Sequence, residues 1–160
     1  MTEARDAGAD DVVDAVLRAS RVLVQVAARS LARVEGNVTI PQYRALVVLA
    51  SRGPQSAGAL ADALGVHIST LTRLCDRLVA KGLITRVDEP GNRRRVTLAL
   101  TPRGRGLVRS VTNRRRKEIA RIVARVPRHQ RTALVDALHA FGEAADEPAD
   151  ASWAPEWDLE

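Results

Sequence analysis

Two groups of side chains in this sequence have the types and spacing needed to grip a polyanion. The first lies between Ile68 and Lys81. If Ile68, Leu71, Leu74, Cys75 and Leu78 form the inward stripe of a helix, then Ser69, Thr70, Thr72, Arg73, Asp76 and Arg77 turn outward together. Serine and threonine hydroxyls donate or accept at bases and phosphates, and arginine can hold guanine O6 and N7 with two parallel hydrogen bonds. The first turn of such a helix also aims backbone N–H groups at any phosphate placed there. The second group is Arg93, Arg94 and Arg95, beside a turn that holds Pro90, Gly91 and Asn92. Guanidinium groups held on such a tip are drawn into a narrow minor groove, where negative potential is enhanced. Each group has a plainer reading. Short polar residues also cap ordinary surface helices, with Arg73–Asp76 or Arg77–Lys81 as mere surface neighbours, and three arginines in a row are weak evidence by themselves.

Other chemistries find little material. A single cysteine, Cys75, rules out an internal disulfide and a multi-cysteine metal cluster. His67, His129 and His139 are too scattered for a metal site. No nucleophile–base pair, phosphate loop or carboxylate pair stands out, so no catalytic residue, metal or cofactor is expected. No apolar run approaches the length of a membrane helix, and the start, MTEARDAGADD, is too acidic and polar for a signal peptide. A reducing cytoplasm is the expected compartment, with no membrane partner.

The charge distribution favours the polyanion. The 160 residues hold 25 Lys or Arg and 19 Asp or Glu, a net of +6. Only Lys81 and Lys117 are lysines, and alanine is abundant, the signature of a GC-rich genome. Arginine number is therefore uninformative, but its placement is not. Met1–Asp14 carries a net of −4, Asp136–Glu160 a net of −8, and Arg73–Arg131 a net of +14. A basic centre between acidic ends is the footprint of a nucleic-acid surface. The competing account is that acidic tails neutralise the basic middle.

Apolar periodicity and stop signals supply the elements that must position these groups. Residues 10–34 read as a long amphipathic helix. Thr39, Pro41 and Gln42 read as a capped helix start with a capping box, and Gly53-Pro54 as its stop. Ser56 caps a short helix, 57–64, closed by Gly65. The next helix runs 68–81 and ends at Gly82. Residues 83–88 and 95–100 read as strands of a hairpin. Helices 102–125 and 127–145 follow. The order helix, tight glycine turn, helix, hairpin is a winged helix-turn-helix, whose second helix enters the major groove of DNA. The fold class expected is therefore mainly α with a small β-hairpin wing, plus long N- and C-terminal dimerisation helices. The domain plan is a disordered acidic start over 1–9, one domain over 10–146 and an acidic tail over 147–160. Within the domain, 39–100 is the winged part, and 10–36 and 102–146 are the dimerisation helices.

The motifs in 39–107 resemble the MarR family of bacterial transcription regulators. The similar features are Thr39 with Gln42, Leu60-Ala61, Leu71-Thr72-Arg73, Asp76-Arg77-Leu78, Gly82-Leu83-Ile84, Arg93-Arg94, and Leu100-Thr101 with Gly104. The resemblance implies a homodimer on a palindromic DNA operator, usually a repressor, that small molecules or oxidants release. It implies DNA contacts from Ser69, Thr70, Thr72, Arg73 and Arg77 in the major groove and from Arg93, Arg94 and Arg95 at the wing. Asn92 departs from the family's wing, which carries Asp before the two arginines. An amide accepts more weakly than a carboxylate, so the wing is expected to be less preorganised. An effector pocket is implied between the dimer helices and the winged domain, with no ligand readable from four aromatic residues.

Helices 10–34 and 102–125 would each be about 36 Å long at about 1.5 Å per residue, with apolar stripes that a small winged domain cannot cover. A second copy can cover them and would set two reading helices about one DNA turn apart, roughly 34–36 Å. Arg114–Lys117 occupy four consecutive helical positions and cannot share one face, so a solvated surface met by acidic tails is expected. Cys75 is expected to pack inward rather than sense oxidants, and His67, a poor cap, to be exposed. Trp153 and Trp157 are expected either to dock on the dimer or to lie in a loose tail. Two rivals to a sequence-specific regulator remain at this level: a protein-interaction module that binds an acidic protein, and a non-specific architectural DNA-binding protein.

Overall fold

A computed structural model describes residues 8–34, 37–89 and 92–146, the side chains at 88, 89 and 92–95 excepted. The acidic tail with Trp153 and Trp157 therefore lies outside the described residues, as do the first seven positions. The elements are α1 (Ala9–Ala32), α2 (Ile40–Arg52), β1 (Gln55–Ser56), α3 (Ala57–Leu64), α4 (Ile68–Ala80), β2 (Ile84–Glu89), β3 (Asn92–Leu100), α5 (Pro102–Val123) and α6 (Arg131–Ala144). A 3-10 turn, Arg128–Gln130, precedes α6. The fold is mainly α with a small antiparallel sheet, as the sequence indicates.

Local chemistry sets the boundaries. Thr39 Oγ1 accepts from the Gln42 amide at 3.4 Å while Gln42 Oε1 accepts from the Thr39 amide at 3.2 Å. This reciprocal pair satisfies two amide donors at the start of α2. Ser56 Oγ accepts from the Ala59 amide at 3.2 Å and opens α3. Gly65, at φ 65°, closes α3 in the left-handed region that side chains disfavour, and so makes the tight turn into α4. Thr101 Oγ1 accepts from the Gly104 amide and donates to the Gly82 carbonyl at 2.7 Å, tying the start of α5 to the end of the α4 turn.

The core gathers one face of each element in the winged part. Leu46 of α2, Leu60 of α3, Leu71 and Leu78 of α4, Ile84 of β2, and Val108 and Val111 of α5 are fully buried together. The long helices sit differently. Of α1 only Val26, Ser30 and Leu31 are buried, and α6 buries no residue at all.

Several details differ from the sequence expectation. Strand β1 was not foreseen. It pairs with β3, Gln55 opposite Leu98 and Ser56 opposite Thr97, giving the order β1-β3-β2. Two residues are too few to show alternation. Strand β3 starts at Asn92 rather than Arg95, and α1 ends at Ala32. Ile68 does not belong to the inward stripe. It is 52% exposed, because the first turn of α4 projects past the core.

Candidate nucleic-acid interface

Helix α4 has two contrasting faces. Leu71, Cys75 and Leu78 are buried, with Cys75 only 2% exposed. Ser69, Thr70, Thr72, Arg73, Asp76 and Arg77 are all exposed on the opposite side. This face is the one foreseen from spacing, since a helix fixed by Leu71, Cys75 and Leu78 must turn the other set to water.

The polar groups on that face are not equally free. Thr72 Oγ1 donates to the Ile68 carbonyl at 2.8 Å, so its hydroxyl remains available only as an acceptor. Asp76 accepts from Arg86 Nη2 of β2 at 2.5 Å. Asp76 pairs with Arg86 rather than with Arg73. Lys81 donates to the Asn37 carbonyl at 2.8 Å and to Gln42 Oε1 at 2.9 Å, and so turns toward the start of α2. Among the described residues, Arg73 and Arg77 have no acceptor. Sequence reasoning missed Arg86. Its signal would have been the strand that returns beside the helix ten residues after Asp76.

The Asp76–Arg86 bridge, exposed on the surface, links β2 of the hairpin to the middle of α4. It also offsets the negative charge that Asp76 would otherwise present beside Arg73 and Arg77. Behind it, burial pushes the Cys75 thiol above its ordinary range; Arg86 opposes this and Asp76 adds to it. A buried, protonated thiol is a poor nucleophile. Cys75 therefore packs, as expected. His67 stands exposed at the N-cap of α4 and makes no side-chain bond to the helix.

The hairpin places the second group. Pairing runs from Ile84–Leu100 to Asp88–Val96, then jumps to Glu89–Asn92. Arg93, Arg94 and Arg95 therefore fall in a bulge of β3, with no opposed residue on β2. A bulge twists and bends its strand away from regular pairing. The side chains of these three arginines, and of Asn92, lie outside the described residues.

No group of three or more His, Cys, Asp or Glu able to hold a metal occurs among the described residues. Among the described residues no helix is long and apolar enough to cross a membrane.

The chain is similar to known proteins over most of its length. The sequence profile of the MarR family matches residues 38–96. The crystal structure of RV1404 from Mycobacterium tuberculosis superposes with a TM-score of 0.82 at 49% identity, over 90% of this chain and 98% of that one. A putative transcriptional regulatory protein for the hcr operon of Thauera aromatica is 40% identical over 48% of this chain and 46% of its own length. The chain thus spans about half the length of this relative, and 55% of a Bacillus subtilis regulator. A Staphylococcus aureus MepR variant, solved bound to an oligodeoxyribonucleotide, shares the fold with a TM-score of 0.63 at 20% identity, over 84% of this chain and 97% of that one. The glycine-turned helix pair, the short third strand and the hairpin are the winged helix, and the chain belongs to the MarR family of transcriptional regulators.

Proposed function

We propose that the chain is a sequence-specific double-stranded DNA-binding repressor that works as a homodimer on a pseudo-palindromic operator. The observation that carries this reading is the outward face of α4. Two arginines that meet no acceptor among the described residues and three hydroxyl residues stand on a helix whose other face is locked into the core. That is the combination a major-groove reader needs, exposed donors on a rigid support. Ser69, Thr70, Thr72, Arg73 and Arg77 are assigned to base edges and nearby phosphates, and Arg93, Arg94 and Arg95 to the wing. The DNA-bound MepR variant supports this use of the fold.

Dimerisation rests on exposed apolar surface. Val12, Val13, Leu17, Leu23 and Val24 of α1 and Leu134, Val135, Leu138 and Phe141 of α6 are open to water in the single chain. Leu134, Leu138 and Phe141 recur along one face of α6, and an exposed apolar stripe of this kind marks an interaction site. A two-fold pair covers it and sets two α4 helices about one DNA turn, roughly 34–36 Å, apart. Response to a small-molecule effector follows from the family alone, and cytoplasmic location is part of the same reading.

A gel shift on DNA from upstream of the chain's own gene tests the proposal. Binding that survives unrelated competitor DNA supports it. Equal affinity for any duplex indicates an architectural protein, and no affinity indicates a protein-interaction module. Adding phenolic ligands to a positive shift probes the effector.

A further inference from the structure

The C-terminal half of α1 and the middle of α5 enclose a cleft of about 110 Å³. Arg29 reaches it from α1, Arg33 from the cap that follows α1, and Arg114, Lys117 and Arg121 from α5. Against five cations stands one carboxylate, Glu118, which Arg29 already engages at 3.2 Å. Arg114 is braced by donating to the Arg33 carbonyl at 3.0 Å. Arg33, Lys117 and Arg121 have no acceptor among the described residues. The spacing makes this costly. Within α5, Lys117 with Arg121 are like charges four apart and Arg114 with Lys117 three apart, arrangements that destabilise a helix. An anion in the cleft would relieve both repulsions.

Within residues 114–117, Arg114, Arg116 and Lys117 are exposed, as the sequence indicates, and Arg115 is half-buried; Arg114 and Lys117 also line the cleft. The cleft lies between two of the long helices, away from the outward face of α4. Its floor is the buried Ser30, whose hydroxyl donates to the Val26 carbonyl at 2.8 Å. The space suits one compact charged group rather than a segment of folded protein.

We propose that the α1–α5 cleft binds a small oxyanion, a phosphate group either free or carried on a monoester. Arg33, Lys117 and Arg121 supply the charge-assisted hydrogen bonds, and Arg29 and Arg114 hold the walls. The site stands whether or not the chain binds DNA, and its test needs none.

The full chain is titrated calorimetrically with inorganic phosphate and, separately, with glycerol phosphate, both against chloride at matched ionic strength. Saturable heat with one site per chain is expected. Free phosphate binding as well as the ester identifies phosphate itself, while tighter ester binding identifies a phosphorylated metabolite. Arg33→Gln combined with Arg121→Gln should weaken binding at least about tenfold. The replacements remove like-charge repulsion, so the fold should persist. Arg109→Gln, an exposed cation outside the cleft, should change nothing. Heats equal to those in chloride overturn the proposal. So does a double variant that binds phosphate as tightly as the parent. A double variant that dissociates into monomers, from a parent that binds no phosphate, assigns the cleft to an acidic protein segment and also overturns it.

Discussion

At the residue scale, the outward face of α4 divides into groups that are committed and groups that are free. Asp76 is committed to Arg86 and the Thr72 proton to the Ile68 carbonyl, while Arg73 and Arg77 remain available. Base discrimination should therefore concentrate in the two arginines. Arg73→Ala should relax preference at defined base pairs by about 1–3 kcal/mol each. Selection from a random DNA pool reads this directly, and an unaltered preference profile would remove Arg73 from the reading set. At the wing, Arg94→Ala should weaken affinity for all sequences alike and lower the slope of log K against log salt by about one, the share of one phosphate contact. An unchanged slope would place Arg94 off the DNA. Cys75 gives a prediction of another kind. Burial raises its thiol pKa in the folded chain above the unfolded value. The folded state then keeps its proton where the unfolded state loses it. Stability is unaffected below the ordinary thiol range and declines as pH rises through that range toward the folded value. Cys75→Ala should lack this alkaline decline, which the difference in urea midpoint between the two proteins across pH would reveal.

At the element scale, the join between the wing and α5 is the tightest point of the fold. A Cβ built on Gly104 would stand 2.0 Å from the Leu83 carbonyl oxygen, a backbone atom that cannot swing aside. Gly106, two residues on in the same helix, meets nothing within 4 Å. Gly104→Ala should therefore destabilise by about 3 kcal/mol or more. Gly106→Ala should stabilise by up to about 1 kcal/mol through helix propensity. Urea unfolding distinguishes the two, and equal effects would deny the close approach. This pair also shows what could be read from the chain alone. By helix propensity alone both glycines are weaknesses near the start of α5, because propensity is local and carries no information about the carbonyl 21 positions earlier. Capping residues and left-handed glycines act through neighbours in sequence, so Thr39, Ser56 and Gly65 were readable. Strand β1 depends on Leu98 and Thr97, over 40 residues away, and Arg93–Arg95 offer no apolar alternation to announce the start of β3. The outward face of α4 was readable because it is the complement of a buried stripe. The clasp by Arg86 was not, since it depends on how the hairpin returns beside the helix.

At the scale of the whole molecule, the winged part and the long helices pose separate energetic problems. The first has its own core. The second leaves Leu138 55% exposed and Phe141 54% exposed, on a helix that buries nothing. Leu138→Glu separates the possible outcomes, because its cost depends on what covers α6. In a lone chain it is a surface change, worth less than about 0.5 kcal/mol. In a two-fold pair it brings a carboxylate from each copy into an apolar contact, where an unpaired charge is expensive. The variant should sediment as a monomer at concentrations where the parent is a dimer. The winged part should stay folded, since Leu138 takes no part in its core. Operator affinity should then fall by about 10²–10⁴-fold, because the two half-sites are no longer engaged by one linked particle. Affinity for an isolated half-site should stay near that of the parent, since α4 is untouched. A variant that remains dimeric would show that α6 lies outside the interface and that the apolar stretch of α1 joins the two copies without it.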